Sequence, residues 1–274
     1  MPELPEVETI VRSLRPRLVG RRIIAATLSH DDILDGVSKR TLLRQLRGRV
    51  ITAVTRRAKH ALIHTDTRIL AVQPGMTGAL LYFDRELTAA ESKYAVLQCR
   101  LDHGGMLVYR DVRRIGTIRW IDEAAWQKYQ TRLGPEPLDP AFGAAEFADR
   151  LARSASPIKK VLMDQRAVVG VGNIYANEAL FAAGIDPSKP ARLVPREQLL
   201  TLHGHVQRIL RAAIESEGTT FRDYVTGTGA AGNFQLEIVA YSREGQPCVV
   251  CGTRLVMTHA IDARSTVFCW RCQR

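Results

Sequence analysis

No stretch of this sequence is apolar for long enough to cross a bilayer. Its longest run without a charged side chain is the 15 residues from Ile69 to Phe83, interrupted by Gln73, Pro74, Gly75 and Gly78, whereas a membrane helix needs roughly 20 apolar residues. The opening Met-Pro-Glu-Leu-Pro-Glu is acidic and lacks an apolar centre, so no secretory leader is expected and the expected address is the cytoplasm. Internal repeats and low-complexity tracts are missing too, which excludes collagen-like and mucin-like chains. Cysteine is scarce, five in 274 residues. What remains is an ordinary globular composition, 46% hydrophobic and 24% charged, which excludes disorder. The length suits about two domains and suffices to bury a core.

Charge is the first positive signal. The net charge is +11 and the pI about 9.8. The excess is uneven. Residues 1–133 carry 23 basic and 14 acidic side chains, residues 134–245 carry 12 and 13, and residues 246–274 carry 4 and 1. Two separated basic segments suggest a polyanion held between them, and a pI above 9 is a footprint of nucleic-acid binding. The plainer alternative is a solvated cationic surface that aids solubility.

Four of the cysteines fall in the last 27 residues as Cys248-x2-Cys251-x17-Cys269-x2-Cys272. Each C-x-x-C turn sets two thiolates on one side of a knuckle, and two knuckles complete a tetrahedral site for one Zn2+. Four ligands leave no open position, so the zinc is expected to be structural. Two disulfides are the alternative, disfavoured in a cytosolic chain. Cys99 alternates in strand phase with Ala95, Leu97 and Leu101, and reads as a buried core thiol.

Val7, Ile10, Val11, Leu14 and Leu18 mark one face of a helix over residues 5–19. Residues 20–121 read as short strands at 62–64, 69–73, 80–83, 95–101, 106–109 and 117–121, separated by Asp35-Gly36, Pro74-Gly75 and His103-Gly104-Gly105. They suit a sandwich. Gly134-Pro135-Glu136-Pro137 punctuates the chain. Helices follow: one capped by Ser156-Pro157, one capped by Asn173 and ending at Gly184, and one over 195–217. Thr219 to Tyr224 looks helical and Leu236 to Tyr241 strand-like. The expected fold is α+β and multi-domain: an N-terminal β-sandwich flanked by helices (1–133), a helical domain (134–245) and a zinc-ribbon hairpin (246–274). Gly227-Thr228-Gly229-Ala230-Ala231-Gly232 matches a dinucleotide fingerprint in letters only, since that motif needs a strand before it and a helix after it. It reads as a mobile loop, and no nucleotide cofactor is expected.

The far N-terminus carries chemistry. Removal of Met1 would give Pro2 a free secondary amine, with a reference pKa far below that of lysine and lowered further by the helix dipole. Such an amine can attack a sugar C1′ and form an iminium, with Glu3 beside it to move protons. A plain helix start with acids near its dipole is the alternative.

Pro2-Glu3-Leu4-Pro5-Glu6-Val7-Glu8-Thr9 resembles the opening of the formamidopyrimidine-DNA glycosylase (8-oxoguanine DNA glycosylase, MutM) branch of the Fpg/Nei family. Arg56-Arg57-Ala58-Lys59, Gly75-Met76-Thr77-Gly78, Asp111-Val112-Arg113-Arg114, Leu133 to Leu138, Val169 to Glu178, the four cysteines and Arg264-Ser265-Thr266 extend the resemblance along essentially the whole chain. It implies a helix–two-turn–helix in the middle domain and a bifunctional enzyme on damaged double-stranded DNA. That enzyme removes oxidised purines and cleaves the abasic site by β,δ-elimination, as a monomer. Pro2 is then the nucleophile, Glu3 the proton donor, Lys59 the aid to β-elimination and Arg264 the aid to δ-elimination. Met76 and Arg113 fill the gap left by the flipped base, and Asn173 contacts phosphate near the lesion.

Three departures stand out. Ile115 replaces an aromatic residue and offers no π-face. Tyr94 stands at a phosphate-contacting histidine position. Gln73-Pro74 replaces His-Leu. Three alternatives stay open: an endonuclease VIII-like enzyme for oxidised pyrimidines, against which Leu4 argues; a non-catalytic zinc-ribbon DNA binder; and a diverged paralogue with altered lesion choice, which Gln73, Tyr94 and Ile115 keep open.

Overall fold

The helical phase of Val7, Ile10, Leu14 and Leu18 is realised in α1 (Leu4–Leu18). Then come β1 (Ile23–Leu28), α2 (Lys39–Leu46), β2 (Ile51–Arg57), β3 (His60–Thr65), β4 (Ile69–Gln73), β5 (Gly78–Phe83), the short α3 (Ala89–Ser92), β6 (Ala95–Leu101), β7 (Met106–Asp111), β8 (Thr117–Ile121) and α4 (Glu123–Gln130). The computed structural model describes residues 1–220 and 224–274. Its contacts divide the chain into two units, Met1–Thr131 with Ser216–Gln235, and Arg132–Glu215 with Leu236–Arg274.

The first unit is a β-sandwich. One sheet runs β1-β6-β7-β5 and the other β2-β3-β4-β8, all pairs antiparallel. Side chains of α1 and both sheets meet in one apolar core, among them Ile10, Leu14, Ile63, Leu70, Leu97, Leu107, Tyr109 and Trp120. The second sheet is covered on its other face as well: Leu62, Ile69 and Ala71 pack against Trp126 of α4. That double burial explains why β3 and β4 read as continuous apolar runs instead of alternating. β1, β2, α2 and α4 were not apparent from periodicity. Cys99 is fully buried, as expected, and burial pushes its thiol up to about 12.

Residues 216–235 were expected in the middle domain, yet they pack on the first unit. Thr219 donates its N–H to Glu6 Oε1 at 2.9 Å and Gly227 to Ser13 Oγ at 3.0 Å. Tyr82 N–H reaches the Gly227 carbonyl at 2.7 Å, and the Tyr224 ring joins the core. Of the helical stretch expected over 219–224, residues 221–223 lie outside the described residues. The strand expected over 236–241 does not form. The N–H groups of Val239, Ala240 and Tyr241 are taken by the Glu178 carboxylate at 3.0, 3.0 and 2.8 Å, so they are not available to a ladder.

The second unit contains α5 (Ala144–Leu151), α6 (Ile158–Met163), α7 (Asn173–Ala182), α8 (Arg196–Glu215) and a ribbon of two three-residue strands, β9 (Val256–Thr258) and β10 (Thr266–Phe268), paired antiparallel. Two expected caps move by one residue. Pro157, not Ser156, precedes α6, because residues 156–158 bridge to 189–191. Gly172 is the N-cap of α7 and Asn173 its first residue, without a side-chain cap bond. No described helix is long and apolar enough to cross a membrane.

Candidate active site and nucleic-acid interface

In the first unit, helix α1 carries the N-terminus to the β2–β3 turn. Glu3 sits at the N-cap and gives its N–H to Glu6 Oε2 at 2.8 Å. One turn later, Glu8 accepts from Arg56 Nε of β2 at 2.9 Å, and Arg56 Nη1 donates to the Ala58 carbonyl at 3.0 Å. This chain of bonds ties the helix to a two-residue hairpin loop, Ala58-Lys59, closed by the Arg57–His60 pair. Ala58 adopts φ +53, a left-handed conformation that non-glycine residues rarely take. Lys59 lies buried on this loop.

Met1 is exposed, while Pro2 and Glu3 lie buried behind it. Burial lowers the pKa of the chain's terminal amine below its ordinary 8.0. The charges of Lys59 and Arg113 push the same way, against Glu3 and Glu6. Five of the residues singled out in the sequence thus share one electrostatic neighbourhood around the N-terminus or border it: Pro2, Glu3, Lys59, Arg113 and Met76, whose sulfur takes a 2.8 Å contact from Arg113 Nη2.

Met76 and Ile115 project from neighbouring loops, 51% and 54% exposed. The loops touch at their bases: a Cβ on Gly75 would lie 2.6 Å from Ile115 Cγ1 and 2.7 Å from Gly116 N. Val112, on the same loop as Ile115, is an exposed apolar side chain that sequence reasoning had not singled out. Tyr94 is exposed just before β6, with the Lys93 ammonium 5.2 Å from its ring centre.

In the second unit the loop before α7 is stapled by Gln165, whose Oε1 accepts from Gly170 N–H at 2.8 Å while Nε2 donates to the Met163 and Val171 carbonyls at 2.9 and 3.0 Å. Asn173 Nδ2 reaches Ser265 Oγ at 3.2 Å, which puts Asn173 beside the residue following Arg264. Buried Lys159 donates to the Ser265 carbonyl at 2.9 Å and to Thr266 Oγ1 at 2.7 Å. Asn177 Oδ1 accepts from Val267 N–H at 2.8 Å. Arg264 is exposed, its Nε 3.4 Å from Asp262 Oδ2, while Lys160 Nζ lies 3.5 Å from Asp262 Oδ1.

The sulfurs of Cys248, Cys251, Cys269 and Cys272 lie within 4.8 Å of one another. Hydrogen bonding from Thr253 holds Cys251 down at about 6, whereas bonding to Cys251 and burial push Cys272 up to about 12. Four thiolates cannot all be charged at this spacing without a cation among them, which suits zinc.

Comparison with known proteins accords with this geometry. Residues 1–118 match the Formamidopyrimidine-DNA glycosylase N-terminal domain, residues 133–225 the Formamidopyrimidine-DNA glycosylase H2TH domain, and residues 245–274 a zinc finger found in FPG and IleRS. The chain is 42% identical over 274 residues to the formamidopyrimidine-DNA glycosylase of Pseudomonas entomophila, covering 100% of both. The chain belongs to the formamidopyrimidine-DNA glycosylase family. The structure of a Lactococcus lactis FPG mutant in complex with Fapy-dG-containing DNA superposes with TM-score 0.92 at 32% identity over 100% of both chains. MutM from Thermus thermophilus superposes with TM-score 0.88 at 35% identity, covering 99% of this chain and 98% of that one.

As in the family's zinc finger, the four cysteines form a structural zinc site. For a formamidopyrimidine-DNA glycosylase, the residues missed by sequence reasoning are those that hold the others: Glu6, Glu8, Lys159, Asn177, Glu178 and Asp111. Asp111 had a legible signal. It continues the inward phase of Leu107 and Tyr109 along β7, where a charge is out of place.

Proposed function

We propose that this glycosylase excises oxidised purines from duplex DNA and then cleaves the abasic strand, through an imino nucleophile at Pro2. The supporting observation is the neighbourhood of the N-terminus, where burial and two cations depress an amine's pKa. With Met1 removed, the same surroundings act on the Pro2 nitrogen and favour its unprotonated form.

The nitrogen attacks C1′ as the base leaves, and the Glu3 carboxyl delivers a proton to the opening sugar. The resulting iminium acidifies the C2′ hydrogen. Its loss expels the 3′ phosphate, and a second elimination expels the 5′ phosphate. Lys59 assists the first elimination and Arg264 the second, each as a cation beside phosphate. Met76, Arg113 and Ile115 fill the void, while Tyr94 and Asn173 contact the backbone. In domain terms, residues 1–133 supply the chemistry, the helix–two-turn–helix grips the strand and the ribbon adds Arg264. The enzyme works as a monomer on cytoplasmic DNA.

Borohydride trapping on abasic DNA, paired with N-terminal mass spectrometry, tests the nucleophile. Protein beginning at Pro2 should form a covalent adduct, and Pro2→Gly should lose base release. An adduct of equal yield from protein that retains Met1 would show that another group attacks.

A further inference from the structure

The structure assigns a positioning role to Asp111: its buried carboxylate joins loops 74–78 and 112–116 into one rigid wedge, so that Met76 and Arg113 enter the duplex as a unit. This deepens the proposed function and rests on it.

Asp111 is 2% exposed. A buried carboxylate is costly unless both oxygens are bonded. Here Oδ1 accepts from Thr77 Oγ1 at 2.6 Å, and Oδ2 accepts from the Tyr109 hydroxyl at 3.0 Å and from Gly116 N–H at 2.9 Å. The three donors lie on three segments: the loop bearing Met76, strand β7, and the loop bearing Arg113 and Ile115. Thr77 relays the connection, since its Oγ1 also accepts the Arg113 N–H at 3.0 Å. Arg113 is therefore pinned before and after, by Thr77 at its own amide and by Asp111 three residues on.

The network's position points to function more than to folding. Gly78–Asp111 is the last pair of the β5–β7 ladder, so the strands are already held when the network begins. Everything beyond that pair is loop. The bases of the loops are packed tightly enough that a Cβ on Gly116 would lie 2.0 Å from the Tyr109 hydroxyl oxygen, while their tips present exposed Met76, Val112 and Ile115 to solvent. A rigid polar base under exposed apolar tips suits insertion into a base stack, where a loosely held side chain would have to be ordered at the moment of binding.

Thr77→Val removes the relay with little change of shape. Asp111→Ala removes all three acceptor contacts. Asp111→Asn can keep Tyr109 and Gly116 on its carbonyl oxygen and turn its amide toward Thr77, so it is the conservative rescue. Three readouts follow on each protein: excision of 8-oxoguanine opposite cytosine in duplex, borohydride trapping on a single-stranded abasic oligonucleotide, and fluorescence of 2-aminopurine beside the lesion in an uncleavable duplex. A single strand has no stack to fill. Excision should fall about tenfold in Thr77→Val and more in Asp111→Ala, with Asp111→Asn close to wild type. Trapping should stay within about twofold, and the fluorescence change should shrink in step with excision.

Parallel loss of trapping and excision would overturn the inference, because the residue would then serve the fold at large. So would wild-type excision and fluorescence in Thr77→Val. If wild-type protein with a free Pro2 does not trap at all, it is the nucleophile assignment that fails, and the fluorescence readout still decides the role of Asp111.

Discussion

The sandwich and the zinc ribbon hold their candidate site residues by different physical means. In the sandwich, position follows from apolar burial: α1 and both sheets share one large core, and Lys59 and the N-terminus sit at its rim. The ribbon has almost no core of its own. Its cluster is Cys248, Leu255, Val267 and Cys269, with Phe181 and Ala240, and its strands are three residues long. Polar clamps make up the difference, Lys159 on Ser265 and Thr266, Asn177 on Val267 and Glu178 on 239–241. A side chain on the sandwich therefore depends on a large shared apolar core, whereas Arg264 depends on a metal and a handful of hydrogen bonds.

Stripping the metal should break this contrast most strongly. Structural zinc contributes on the order of 10 kcal/mol to such small sites, so chelation or Cys269→Ser should unfold the ribbon and lower duplex affinity by about a hundredfold or more. The sandwich should persist. Trp120 and Trp126 are buried in it, and Trp270 is exposed on the ribbon, so in a Trp270→Phe variant the fluorescence melting curve should be nearly unchanged by chelation. A joint collapse would show that the ribbon supports the sandwich.

Acid should weaken the sandwich as well, through a histidine. His60, next to Lys59, is buried edge-on to Trp126 and Tyr129. Burial, then the Arg119 charge, lower its pKa from 6.5 to about 4. The unfolded chain thus binds the proton more readily than the folded one, so this contribution is whole above about pH 6.5 and drains away as pH falls through 4. The loss approaches about 3 kcal/mol. Urea unfolding of the sandwich at pH 7 and pH 4 should show it, and His60→Phe should flatten the dependence. An equally steep dependence in the variant would place the titration elsewhere.

The smallest effect is expected at the ribbon tip. Asp262 is the only acid among residues 246–274 and lies against both Arg264 and Lys160. Exposed ion pairs are weak, so Asp262→Asn should tighten undamaged-duplex binding by only about threefold at moderate salt. Binding titrations in wild-type and Arg264→Ala backgrounds check this, since the gain should shrink with Arg264 gone to the share that Lys160 retains. Asparagine also suits the left-handed backbone at this position (φ +57).

The same contrast decides what the sequence could reveal. Motifs with strict local chemistry were legible: the cysteine spacing, the helical phase of α1, and the strands whose apolar residues lie between turn signals. So was the family, because its motifs recur in order. What escaped was whatever depends on distant partners. Glu178 looks like one more helical glutamate until residues 239–241 bring it three N–H groups. Lys159 reads as a solvated lysine beside Lys160, yet it is fully buried. β2 begins beside a charged segment and ends in two arginines, and its place in a sheet becomes evident only through β3. Residues 236–241 had a strand's composition, but a carboxylate claimed the amides a strand would have used.

Glu6 meets Thr219 across 213 residues of chain. During translation that carboxylate has no such partner until four-fifths of the protein has been made. The strands of the sandwich can pair long before, but the first turn of α1 stays unlatched while the ribosome is still at work. The proposed role of Pro2 thus rests on a helix start whose fastening is encoded four-fifths of the way along the chain.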